Sequence, residues 1–129
     1  MISFTVYGEA VPKARARVAF VHGKTFAYTP KKTKVWEEQV YYTALEHRPD
    51  TLLDGPLFIY LTFYLLKPKS AIRKRLYPDK KPDADNMVKA IIDSLEKVIF
   101  TNDSRICDLV IKKRWGNPPR VEIIIGELP

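Results

Sequence analysis

Cysteine is almost missing: the chain has one, Cys107. A single thiol closes no internal disulfide, which fits a reducing compartment and gives a cytoplasmic expectation. Histidine is nearly as scarce. His22 and His47 are isolated, so there is no Cys/His cluster and no case for zinc. No run of about eighteen apolar residues occurs, and no membrane span is expected. The opening "MISFTVYGEA" lacks a basic region followed by an apolar one, so no secretory signal is expected. There is no Gly-rich phosphate loop and no G-x-S-x-G, which leaves P-loop and serine-hydrolase chemistry without support.

Acid is missing too, but only locally. From Ala10 to Lys34 there are seven cations and no carboxylate: Lys13, Arg15, Arg17, Lys24, Lys31, Lys32 and Lys34. From Lys67 to Lys81 there are seven more, with Asp79 alone against them. Many of the acids fall instead between Asp83 and Asp108. The net charge is +7, and two basic blocks point to a polyanion such as nucleic acid. The plainer reading is solvated loops that keep the protein dispersed.

With 129 residues and 46% apolar content, one domain with a buried core is expected. "ISFTVYG" alternates as a half-buried strand, and "VAFVHGKTFAYTP" reads as a hairpin. From Lys32 to about Glu46 the period turns helical, with Trp36, Val40, Thr43 and Ala44 on one face. "PLFIYLTFYLL" is the strongest strand. It is bulky on both faces, which places it centrally in a sheet. Lys67–Lys80 reads as a basic, proline-punctuated loop, with a short helix around Ala71–Leu76 and mobility when no ligand is bound. A second helix is expected from Asp83 to about Val98. "ICDLVIKKRW" and "RVEIIIGEL", joined at "GNPP", close the domain as a hairpin. The order β-β-β-α-β-α-β-β predicts an α+β domain: a mixed sheet with two main helices packed on it.

Within the second helix lie three aspartates, Asp83, Asp85 and Asp93, and Lys89. Asp83 stands where an N-cap belongs, and Asp85, Lys89 and Asp93 share one stripe at i, i+4, i+8. One reading is a cap and an exposed face with an Asp85–Lys89 ion pair, worth about 0.3–0.5 kcal/mol. The other is a metal site. Carboxylate oxygens suit Mg²⁺ or Mn²⁺, and a metal beside a lysine in a basic field is equipment for phosphodiester cleavage. Asp103, just after the helix, either returns to this surface or stays at the far end; spacing leaves both open.

These residues resemble a known family. "PDADNMVKAIIDSLEKVIFTNDSRICDLVIKKRW" resembles the core of the RusA-type Holliday junction resolvases. "YGEAVPKARARVAF" and "YTPKKTKVWEEQV" resemble that family's opening strand, basic loop and helix start. The resemblance covers most of the chain, with least support in Lys67–Lys80. It implies a homodimeric, Mg²⁺-dependent endonuclease (Mn²⁺ substituting) that nicks four-way DNA junctions symmetrically in recombination and repair. It implies Asp83, Asp85 and Asp103 as metal ligands and Lys89 as the catalytic lysine, with Asn86 and Asp93 in support. The basic blocks, through Lys13, Arg15, Arg17 and Lys81, are expected to hold the DNA. Two departures stand out: the turn has one acid, in Asn102-Asp103-Ser104, where some members have two, and Pro82 precedes Asp83 where some members have arginine. Phe20, Phe26 and Tyr28 are expected to pack as core, with insertion at a junction centre as the other reading. The competing functions are a basic protein that binds branched or duplex DNA without cutting it, and a phosphotransfer enzyme acting on nucleotides.

Overall fold

The computed structural model describes the chain apart from residues 14–16 and 71–74, and describes Arg17 by its backbone alone. The element order is β1 (Ile2–Tyr7), β2 (Arg17–Val21), β3 (Lys24–Tyr28), α1 (Lys31–Glu46), β4 (Leu57–Leu65), α2 (Ala84–Leu95), β5 (Ile106–Trp115) and β6 (Arg120–Glu127). A short 3-10 turn, Asp103–Arg105, precedes β5. The expected α+β arrangement and element order are present. The short helix expected at 71–76 falls largely outside the described residues.

The main sheet runs β1-β6-β4-β5. β4 pairs antiparallel with β6 and parallel with β5, so the sheet is mixed. Leu57, Ile59, Leu61 and Phe63 of β4 are buried on one face, with Phe4 and Val6 of β1 and Val121, Ile123 and Ile125 of β6. Trp36, Val40 and Ala44 of α1 and Met87, Val88, Ile91 and Leu95 of α2 close the same core. Both helices therefore cover one face of the sheet, as period-2 strands and a 3.6-period helix stripe require.

Three local expectations are corrected. β5 and β6 do not form a hairpin: β4 lies between them. β4 carries large side chains on both faces, so the central place suits it, and β5 and β6 flank it. The four residues of "GNPP" span two strand spacings, about 10 Å, without difficulty. Next, α2 stops at Leu95 rather than Val98. Glu96 turns extended and Lys97 takes a positive φ of 68°, while Val98, Ile99 and Phe100 bury themselves as an irregular turn.

The third correction concerns β2 and β3. Among the described residues they pair only with each other, as a separate two-stranded sheet. His22 and Gly23 form its turn, both at positive φ, the backbone of a tight primed turn. Phe20 (72%), Phe26 (47%) and Tyr28 (42%) are exposed rather than core. The core is already complete without them.

Candidate active site

β4, α2 and β5 form a β-α-β crossover, which sets α2 antiparallel to the parallel strand pair. The start of α2 sits beside the end of β5. There the Lys113 ammonium donates to the carbonyls of Lys80 (2.7 Å) and Pro82 (2.8 Å), fastening the chain just ahead of Asp83. The Trp115 indole N–H donates to the carbonyl of Arg75 (3.1 Å). Arg75 also bonds Asp79 at 2.9 Å, which holds the Asp79 carboxyl below the usual carboxylate range. The described end of the basic loop is thus pinned to β5. Lys113 was not singled out from the sequence; its signal, a lysine on the inward-facing register of a strand, is legible only once Phe63 is known as its partner.

Asp83 occupies the N-cap position of α2 with extended backbone, but its carboxylate makes no capping hydrogen bond. The cap reading therefore fails for this side chain. Asp83 lines a cleft with Pro12, Lys81, Pro82 and Asn86. Asp85 faces elsewhere, as residues two apart on a helix must. It lines a shallow groove along α2 and β5 with Lys89, Asp93 and Asp103, floored by Val88, Ile92, Leu109 and Ile111. Asp103 thus returns to the aspartate face. It does so at the far end, where its backbone N–H donates to Glu96 Oε2 at 2.9 Å. Asp85 and Asp93 alone are about 12 Å apart along the helix axis.

No ion pair joins Lys89 to Asp85 or Asp93 among the described residues. The carboxylates of Asp83, Asp85 and Asp103 likewise find no described partner, while Arg105 turns to Asp54 at 3.4 Å. Lys13 is different. Its ammonium lies 2.7 Å from Glu37 and 3.7 Å from Asp93, and its backbone N–H donates to the carbonyl of Asn86. Lys13 therefore stitches the segment after β1 to both helices, and Asp93 is the partly neutralised acid of the set. Arg15 lies outside the described residues, as does the Arg17 side chain. Lys81 also lines a second cleft with Lys32, Arg75, Lys80 and Trp115, which shares Pro12 and Pro82 with that of Asp83.

The donor chemistry suits a hard divalent cation: carboxylate oxygens without protein partners. The assembly does not. Among the described residues no three acids, histidines or cysteines gather closely enough to enclose an ion.

Residues 8–126 match the family of the endodeoxyribonuclease RusA. The chain belongs to the RusA family. Its relatives include the uncharacterized protein YqaN of Bacillus subtilis (strain 168), 36% identical over 137 residues, 98% of this chain and 96% of YqaN. RusA nucleases resolve Holliday junctions and are in general dependent on a divalent metal. In this member of the RusA family no described helix is long and apolar enough to cross a membrane.

Proposed function

We propose that the chain is a divalent-metal-dependent endodeoxyribonuclease that resolves four-way DNA junctions by paired symmetric nicks, as a homodimer, in recombination and repair. The observation that carries this reading is the groove where Asp85, Lys89, Asp93 and Asp103 face solvent together. Of its acids, Asp85 and Asp103 have no ion pair among the described residues, in a chain of net charge +7. Mg²⁺ is usually held by one or two carboxylates plus waters and substrate phosphate, so a closed cage is not required. Asp83, Asp85 and Asp103 would hold the ion, Mg²⁺ or Mn²⁺, not as a set within one chain, where they lie apart, but as single ligands completed by water, substrate phosphate and a second protomer. Bound there, it would orient water and offset charge on the scissile phosphate. Lys89 would stabilise developing negative charge. Asp93 with Lys13 would fix the spacing of the two helices, and Asn86 would border the cleft of Asp83. Lys81, with Lys32 and Lys80, would hold phosphates, positioning without reading sequence.

A homodimer supplies two sites for two nicks. β5 is an edge strand with Leu109 and Val110 exposed, and such an edge invites pairing. An antiparallel pairing of two β5 edges about a two-fold axis brings the Asp103 end of one protomer toward the Asp85 end of its partner.

The test is incubation with a labelled synthetic four-way junction and a linear duplex control, in Mg²⁺ or in EDTA. The reading expects paired nicks on the junction only, abolished by EDTA. Equal cutting of the duplex, cutting in EDTA, or binding with no cleavage would overturn it.

A further inference from the structure

The β2–β3 hairpin is anomalous. Two strands of five residues, paired with no third strand among the described residues, are marginal in water. Yet this hairpin carries Val18, Phe20, Val21, Phe26 and Tyr28, all exposed. Apolar side chains on an unpacked hairpin are unfavourable unless something covers them.

Register sorts the side chains. Lys24, Phe26 and Tyr28 alternate onto one face of β3, with the Phe26 and Tyr28 ring centroids 6.3 Å apart. Arg17 stands opposite Tyr28, and Ala19 opposite Phe26. Small Ala19 leaves the Phe26 ring open. This face of β3 therefore presents Lys24 and then two neighbouring aromatic rings. The hairpin is rooted beside the aspartates: Lys13 ahead of it bonds Asn86 of α2, and α1 begins three residues after Tyr28. Its reach is about 17 Å.

We propose that this hairpin is a base-stacking arm, on which Phe26 and Tyr28 receive unpaired bases of branched DNA. The occupant follows from charge. The hairpin sequence from Arg17 to Tyr28 has two cations and no acid, and Lys31, Lys32 and Lys34 follow it directly, so the arm suits a polyanion, and a second copy of the same arm would meet it with like charge. Among polyanions, DNA with unpaired bases also offers flat π faces. Stacking on aromatic rings is tolerant of sequence and large enough to matter, with phosphates drawn to the neighbouring cations. The inference rests on the reading that the chain acts on branched DNA, but it does not require cleavage.

The experiment uses the full chain and a four-way junction carrying 2-aminopurine at its central bases, in EDTA so that nothing is cut. Wild type is expected to change the 2-aminopurine emission and to bind the junction in preference to linear duplex. The double variant Phe26→Ala, Tyr28→Ala is expected to lose the emission change and to bind the junction roughly ten-fold or more weakly, with duplex binding unchanged. Tyr28→Phe keeps both signals, because the ring and not the hydroxyl stacks. Both side chains lie outside the core, so circular dichroism is expected to stay that of the wild type.

Three outcomes would overturn the arm. In the first, the double variant matches wild type. In the second, it loses junction and duplex binding equally. In the third, junction binding stays while self-association, or binding to anionic lipid vesicles, is lost. Cleavage is scored separately in Mg²⁺. A protein that stacks but never cuts refutes the nuclease reading and leaves the arm; one that cuts, with the double variant binding and cutting like wild type, refutes the arm alone.

Discussion

At Asp83 the backbone takes an N-cap conformation, yet the carboxylate leaves the first-turn amides alone. The two roles therefore separate by mutation. Replacing a working Asp cap by Ala typically costs about 1 kcal/mol. Asp83→Ala is expected to shift stability by less than about half of that, read from urea unfolding, while Asp83→Asn is expected to lose junction cleavage by roughly a hundred-fold or more with binding kept. A destabilisation like that of an ordinary cap, with cleavage intact, would return Asp83 to structure. Lys113 is the converse case, a cation whose role is internal. It donates to two carbonyls ahead of Asp83, and hydrogen bonds to charged groups contribute about 1.5–3 kcal/mol each when sheltered. Lys113 is only half-buried, so Lys113→Met is expected to destabilise by about 1–2 kcal/mol. It should also slow cleavage more than it weakens junction binding, because what it frees is the approach to Asp83.

Among the elements, β4 dominates. Its position between β5 and β6 breaks the expected terminal hairpin, and its inward face forms the centre of the core. Phe63 is fully buried; Phe63→Ala is expected to cost about 3–5 kcal/mol in a denaturant series. The outward face makes its own demands. Arg120 stacks at 3.9 Å over the Tyr64 ring, and that ring lies against Gly116, where an added Cβ would come within 2.6 Å of it. Gly116→Ala is therefore expected to cost about 1–3 kcal/mol by overpacking; a neutral effect in the same unfolding series would mean that the ring moves freely. α2 carries both trades of the molecule on opposite sides. Its apolar stripe at Met87, Ile91 and Leu95 locks the helix to the sheet, which is why its polar stripe points outward at a fixed angle.

At the scale of the whole molecule, one chain holds its carboxylates along a helix rather than around a point. If two protomers share each site, mixing Asp85→Asn with Asp103→Asn protomers restores one intact site per heterodimer, and single nicks are expected from two inactive parents. If each site belongs to one chain, the mixture stays inactive. Charge is also a property of the whole. With the basic clefts on phosphates, log K for the junction should fall steeply with log salt, with a slope of about −5 for six contacts. A flat dependence, measured by fluorescence anisotropy, would remove the basic blocks from binding.

Alternation and helical period settle within each segment which side chains turn inward, so the element order, the core faces of β1, β4 and α1, and the stripe of Asp85, Lys89 and Asp93 were legible in the sequence. So was the charge contrast, since counting needs no coordinates. The end of α2 was not: Val98 continues the apolar period, and only the positive φ at Lys97 shows that the chain has turned. Nor was the partner of β5, because local pattern marks a strand but not its neighbour. Tertiary structure alone decided that Lys13 is paired internally, that Lys113 fastens the chain ahead of Asp83, and that Asp103 joins the groove from its far end. Each depends on contacts between segments distant in the chain, and pairwise distance in space is the one quantity that spacing along a chain does not contain.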